Sequence, residues 1–410
     1  SMINLRNLRP IPMTTDSHSP AAAKVGLLFI VILSALMAFT SLSTDIYLPA
    51  MPQMAADLHG NVELTITGLL IGFSIAQLVW GPISDQLGRR IPLFIGMVIY
   101  IIGSIGCALS TEIHHIVFWR VMQAVGACTG PMLARAMIRD LFSRTHAAHM
   151  LSTLVIVMAI APIVGPLLGG QIIRFSTWHS IFWMLSVVGA LMFASLFLLP
   201  ETLGPEKRAK ASLGSAFRNY FALLTNWRFM RFTLCVTLFY VAMYAYITGS
   251  PFVFITYFKV DPQYYGWLFA VNIVGVMILS AFNRKLVHRY PLETLLKASS
   301  LVAMLAMLAM AILVKLQIGG LAAMVITIFI AFSMNGIIAA SATAAALDAV
   351  PSLAGSASAL IGSLQYGSGI VSSLLLAFFS DGTPWTMTWI MALFIVASFA
   401  VVATVKRLPG

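Results

Sequence analysis

Apolar residues in this chain come in long, nearly unbroken runs rather than in the alternation of a strand or the narrow stripe of a surface helix. The runs fall at about 25–50, 63–84, 91–110, 114–139, 150–172 and 179–199. After a polar interval come 230–257, 265–283, 293–314, 318–346, 356–379 and 385–405. A helix needs about 20 apolar residues to cross the hydrocarbon layer of a bilayer, and each of these runs supplies close to that number. The pattern therefore predicts an all-α membrane protein of twelve transmembrane helices. The longest polar interval runs from Glu201 to Trp227 and opens with PETLGPEKRAKAS. It divides the chain into a polar leader (1–23), a six-helix half (24–200), a linker (201–227) and a second six-helix half (228–407). Within the leader, Met13 opens a second plausible start after Met2.

Composition narrows the class. Hydrophobic residues make up 60% and charged residues 9% of the 410, with a mean hydropathy of +0.94. Ordinary soluble domains carry roughly 25% charge, so a soluble enzyme, a nucleic-acid binder and a disordered scaffold are excluded. The net charge of +11 acquires meaning only loop by loop. One set of loops and helix ends holds 20 of the lysines and arginines, the other holds Arg174, Lys259 and Lys315, and Arg120 lies inside a span. Cations accumulate on the cytoplasmic side of membrane proteins, which predicts that both termini are cytoplasmic.

The halves echo each other. GPISDQLGRRIPL begins at Gly81 after the second run, and SAFNRKLVHRYPL begins at Ser280 after the eighth. At an offset of 199, Leu87, Arg90, Pro92 and Leu93 match Leu286, Arg289, Pro291 and Leu292. Two related six-helix halves predict a transporter whose substrate site lies near the midplane between them.

Of the 13 acidic residues, Asp45 alone lies well inside an apolar run. A charge at the bilayer centre costs about 2.5–3.5 kcal/mol on insertion scales, so such a residue is a functional candidate. Arg120 lies at matching depth in the fourth run, roughly 10 Å below the periplasmic boundary by helical rise. Asp45 and Arg120 are the expected proton-coupling pair. The loop GPISDQLGRR carries a second constellation. Gly81 and Gly88 permit a tight turn, Asp85 can cap a neighbouring helix, and Arg89, followed by Arg90, can pair with an acid such as Asp140. In the fifth run, APIVGPLLGG sets Gly165 and Gly169 on one face for close helix approach, and Pro166 removes a hydrogen bond and bends the span.

For the substrate, Tyr240, Met243, Tyr244 and Ile247 form a stripe on the seventh run, and Gln77, Asn272, Asn335 and Gln365 are uncharged polar residues within runs. With Tyr47 and Gln123 they are the expected substrate-binding residues, suited to a small, moderately lipophilic molecule. Cys107, Cys128 and Cys235 lie in apolar runs, so neither disulfide nor metal site is expected. No phosphate-binding G-x-x-x-x-G-K-[ST] loop occurs, so transport is expected to use a gradient rather than nucleotide hydrolysis.

These segments resemble the major facilitator superfamily. GPISDQLGRR resembles its loop between second and third helices. The run from Arg120 through Gln123 to Gly126 is similar to its fourth-helix motif, with Ala124 where glycine is usual. APIVGPLLGG resembles the fifth-helix motif of drug/proton antiporters, with Ala161 where glycine is common. STDIYLPAMPQM, from Ser43, resembles the first helix of the bicyclomycin-resistance (Bcr/CflA) exporters. The resemblance implies the major facilitator fold, in a bacterial inner membrane. It implies export of phenicol- or bicyclomycin-like drugs by alternating access, with the proton as coupling ion and no other cofactor. The alternative is export of a natural metabolite such as a purine nucleoside or amino-acid derivative. Implied partners are the small-molecule substrate and membrane lipid, with no nucleic acid, and the protein is expected to be a monomer.

Overall fold

The computed structural model describes residues 20–60, 62–210 and 213–406. Met13, most of the expected leader and Arg407 lie outside the described residues. Twelve helices have the length and hydropathy to cross a membrane. They are Gly26–Ala50, Leu64–Leu87, Arg90–Leu109, Ile113–Leu141, Arg144–Phe175, Trp178–Leu198, Trp227–Tyr257, Tyr264–Arg289, Leu292–Lys315, Gly320–Ala349, Pro351–Phe378 and Trp385–Ala403. No strand occurs among the described residues. The multi-pass membrane architecture follows the hydropathy pattern run for run.

Helix ends are where pattern and structure differ. The fifth span starts at Arg144 rather than near 150, and the eighth ends at Arg289 rather than near 283. Hydropathy marks the apolar layer, whereas backbone hydrogen bonding carries a helix beyond it. In the eighth span the extension places His288 and Arg289 in the last turn, where the helix dipole favours cations. The second span stops at Gly88, whose φ of +88° favours glycine. The seventh starts behind Asn226, whose side chain accepts a hydrogen bond from Phe229 N–H at 3.2 Å. The fifth runs unbroken through Pro162 and Pro166.

The internal repeat reappears as a shared irregularity. The fourth span consists of two helices, Ile113–Ala127 and Thr129–Leu141, and the tenth of Gly320–Ser333 and Asn335–Ala349. The joints, Cys128 and Met334, have nearly the same backbone angles, φ −63°/ψ −21° and φ −62°/ψ −19°. Beside each joint a glycine touches a neighbouring backbone. A side-chain carbon at Gly126 would overlap the Gly96 carbonyl, and one at Gly336 would lie 2.5 Å from the Val276 oxygen.

The chain forms two compact units. One contains Ser1–Phe142, Ile160–Phe221 and Pro351–Ser363, and the other Ser143–Ala159, Ala222–Val350 and Leu364–Gly410. Each unit therefore holds most of one sequence half and a short segment of the other. The first turns of the fifth span belong with the second half, and the first turns of the eleventh with the first half.

Candidate functional site

At the end of the spans that bears the basic loops, the first unit holds a buried charged cluster. Arg89 follows the turn at Gly88, which aims its side chain back beneath the second span. Its guanidinium is 1% exposed. Nε and Nη2 donate to the two Asp140 oxygens at 2.8 and 3.1 Å, and Nη1 donates to Asp85 Oδ1 and Ser84 Oγ, both at 2.9 Å. Burial alone would lower the arginine's pKa, but the carboxylates of Asp140 and Asp85 outweigh it and hold the group above its ordinary value. It stays cationic at every physiological pH.

Asp85 turns its remaining capacity to the eleventh span. The N–H groups of Gly355 and Ser356 donate to Oδ1 and Oδ2 at 3.0 Å, and Ser356 Oγ donates to Oδ2 at 2.7 Å. These donors sit in the first turn of the helix Ala354–Phe378, where N–H groups lack intrahelical partners and negative charge is favoured. The contact requires glycine. A side-chain carbon at Gly355 would overlap Ser84 Oγ, and one at Gly81 would lie 2.7 Å from Ala359 Cβ. Arg135 adds a second tie, donating to Ser358 Oγ at 3.0 Å and to its carbonyl at 3.1 Å.

Sequence reasoning assembled Gly81, Asp85, Gly88, Arg89 and Asp140, and the structure brings these together. It missed their support. Glu201 accepts from the N–H groups of Arg89 at 2.8 Å, Arg90 at 3.1 Å and Leu203 at 3.1 Å, and Thr202 Oγ1 donates to Asp140 at 2.7 Å. An acid directly after a span, in PETLG, was the available signal. Arg90 itself reaches the Leu196 carbonyl at 3.5 Å and sits 5.5 Å over Phe94.

The expected ion pair between Asp45 and Arg120 is not made, and this corrects the sequence reading. Arg120 is fully buried, donates to the Ser43 carbonyl at 3.3 and 3.4 Å and to Gln123 Oε1 at 2.7 Å, and lies 4.1 Å over the Tyr47 ring. Its Nε has no hydrogen-bond partner. Ser43 lies in the last turn of the helix Pro20–Asp45 and Tyr47 in the turn that follows it, and both meet Arg120. Asp45 is two residues after Ser43, about 200° around the helix at roughly 100° per residue. Matching depth was correct, but azimuth separates the charges. Among the described residues Asp45 makes no hydrogen bond or ion pair and is half-buried. It faces the fifth span instead. A side-chain carbon at Gly165 would lie 3.3 Å from Asp45 Cβ, and one at Gly169 would overlap the Ile46 carbonyl. Pro166 is half-buried between those glycines.

The expected substrate residues divide. Tyr47 donates to or accepts from Thr65 Oγ1 at 2.9 Å, Gln77 donates to the Phe73 carbonyl at 3.1 Å, and Gln123 donates to Ser104 at 2.8 Å. Asn272 donates to Tyr246 Oη at 2.7 Å, on a turn of the seventh span away from the Tyr240–Tyr244 pair. All four are buried, Tyr47, Gln77 and Gln123 with partners in the first unit and Asn272 with its partner in the second. Tyr240 and Tyr244 are half-buried with ring centroids 6.3 Å apart, Met243 is buried, and Asn335 and Gln365 are half-buried. The Asn335 Oδ1 has no partner.

The second unit has its own charged cluster, which sequence reasoning did not assemble. Arg144 pairs with Glu293, which is 3% exposed, and approaches Asp348 at 3.8 Å.

The sequence model of the Major Facilitator Superfamily matches residues 31–373. An uncharacterized MFS-type transporter of Bacillus subtilis, YdgK, is 35% identical over 87% of this chain and 90% of its own length. A bicyclomycin resistance protein homolog of Haemophilus influenzae is 29% identical over 92% and 95%. The crystal structure of a fucose:proton symporter of E. coli, FucP, shares the fold with a TM-score of 0.77 at 16% identity, covering 94% of this chain and 99% of that one.

Proposed function

The chain belongs to the Major Facilitator Superfamily, and its members are secondary transporters rather than enzymes. From that premise we propose that it is a proton-coupled antiporter that exports small drug-like molecules, of the phenicol or bicyclomycin type, across the bacterial inner membrane. In this reading the basic loops and both termini are cytoplasmic, in keeping with the bias of cations toward that side. Small-molecule binding is common to the superfamily. The drug class is suggested by the name of the Haemophilus influenzae relative, which covers nearly the whole chain.

The observation that carries proton coupling is Asp45. It is the acid inside a span that no hydrogen bond or ion pair satisfies among the described residues, and it sits against the close-packing glycines of the fifth span. A carboxyl held this way can take up a proton without first breaking a salt bridge, and a change in helix contact at Gly165 changes its hydration. Arg120 supplies a fixed positive charge one helix face away. The Asp85–Ser356 contact lies inside the first unit and ties the basic end of the second span to the first turn of the eleventh.

The test is transport in proteoliposomes. A pH gradient should drive accumulation of a phenicol or bicyclomycin, and adding that compound to the detergent-solubilised protein should release protons. Asp45→Asn should abolish both while leaving exchange at equal pH. Gradient-driven accumulation by that variant would overturn the coupling role of Asp45. Absence of transport for both compounds by the parent would overturn the drug class.

A further inference from the structure

At the end of the spans that bears the basic loops, the second unit gathers three imidazoles. His146 and His149 stand one turn apart in the first turns of the fifth span, and His288 lies in the last turn of the eighth. The centroid of the His288 ring is 5.4 Å from that of His146 and 5.0 Å from that of His149. His149 Nδ1 lies 2.9 Å from two atoms of the eighth span, the Arg284 carbonyl oxygen and His288 Nε2.

These two contacts together fix the protons. A carbonyl oxygen only accepts, so His149 Nδ1 carries a hydrogen and donates it. The same N–H faces His288 Nε2, which must therefore present its lone pair. The contact needs His288 neutral, with its hydrogen on Nδ1. A proton added at Nε2 would set one N–H against another and part the rings. Histidine changes its charge between about pH 5 and 8, and His288 is exposed.

The surroundings do not offset that added charge. Arg284 stands beside His149, and Lys285 and Arg289 flank His288 on its own helix. The seventh span brings Arg228 and Arg231 to this end, the ninth Glu293 and Lys297, and the tenth Asp348. Both acids engage Arg144, in the turn before His149. Among the described residues none of the three imidazoles pairs with a carboxylate. Beneath the rings, Asn283 joins the same two spans. It is fully buried, and Nδ2 donates to Ser152 Oγ at 2.8 Å and to Ser341 Oγ at 3.2 Å. Its Oδ1 has no hydrogen-bond partner. Water admitted between parted rings would satisfy that oxygen, which lowers the cost of opening.

We propose that the His149–His288 contact is a proton-sensitive clasp between the fifth and eighth spans, closed while His288 is neutral and opened when it takes a proton from the basic face. The fifth span is one helix, Arg144–Phe175, and its other half carries Gly165 and Gly169 against Asp45 and Ile46. Opening the clasp therefore frees one end of the helix that packs on Asp45. The clasp itself does not rest on the proposed drug export; this link to the proton carrier does.

Pulsed electron spin resonance on the full-length protein in vesicles tests it. Cys107, Cys128 and Cys235 are buried, so cysteines introduced by Thr145→Cys and Tyr290→Cys take spin labels selectively. Ser143→Cys replaces the first where that variant folds poorly. From about pH 8 to about pH 5 the distance between labels should lengthen and its distribution broaden. His288→Gln, neutral and able to accept from His149, should keep the short distance at both pH values, and His288→Lys the long one. A distance indifferent to pH, or a shift that survives His288→Gln, would overturn the proposal. Loss of the shift in His146→Gln or Asp45→Asn would overturn it too, by assigning the titration to that residue. The labels report without substrate or gradient, so a failed clasp leaves drug export standing, and a protein that exports neither compound can still show the clasp.

Discussion

Asp85 and Ser356 lie 271 positions apart, yet Ser356 gives both its backbone N–H, at 3.0 Å, and its hydroxyl, at 2.7 Å, to one carboxylate oxygen of Asp85. The same carboxylate holds Arg89, and Arg89 holds Asp140. Three helix ends and the turn at Arg89 therefore share one buried set of charges. Each member neutralises or caps another, so the cluster is stable when whole and strongly destabilised when one member is removed.

That asymmetry predicts the first outcome. Arg89→Ala leaves two buried carboxylates facing each other, a loss of about 3–5 kcal/mol for a broken buried pair. Ser356→Ala removes one hydrogen bond to a charged group, about 1.5–3 kcal/mol. Thermal unfolding in detergent should rank them in that order. Transport of a phenicol in proteoliposomes should also fall for Arg89→Ala, because Asp85 and Asp140 lose the cation that holds them together. A parental rate would mean that the cluster only sets topology.

The second prediction uses adjacent glycines as their own control. Gly169→Ala places a carbon against the Ile46 carbonyl, whereas a carbon at Gly170 meets nothing within 4 Å. Gly169→Ala should lower the melting temperature and suppress transport, and Gly170→Ala should leave both close to the parent. Gly165→Leu, which intrudes on Asp45, should suppress transport in a well-folded protein.

Because Asp45 and Arg120 face different sides of the first span, their removals should be independent in the folded state. The stability losses of Asp45→Asn and Arg120→Ala should add in the double variant within about 0.5 kcal/mol. A larger coupling energy, measured by a double-mutant cycle on unfolding, would restore the direct pair.

The second unit gives a fourth prediction. Glu293 is 3% exposed and paired with Arg144, whereas Asp348 is about one quarter exposed and more distant. Arg144→Ala should destabilise by about 3–5 kcal/mol through the abandoned Glu293. Asp348→Asn should change unfolding by less than about 1 kcal/mol, as for partly solvated pairs. Equal effects would place the main partner of Arg144 at Asp348.

The membrane fold was written in the chain itself. Twelve apolar runs leave a bilayer-crossing helix almost no competitor, because an unsatisfied backbone in lipid is so costly that hydropathy alone selects the secondary structure. Local motifs were legible for the same reason of short range. The turn at Gly88, the cap-forming Asp85, the reach of Arg89 to Asp140 and the glycine face of the fifth span depend on spacing within one or two elements. Depth was legible too, since rise per residue is fixed, and it put Asp45 and Arg120 at one level. What the sequence could not supply was azimuth and long-range choice of partner. Whether two charges at one depth meet depends on how each helix is rotated by the packing of all its neighbours. That packing turned Ser43 and Tyr47 toward Arg120 and Asp45 toward Gly165. The same limit hid Glu201 beneath the Arg89 turn, Gly355 and Ser356 above Asp85, and Arg144 beside Glu293. Each joins segments separated by more than a hundred residues, and only the folded chain brings them within hydrogen-bonding distance.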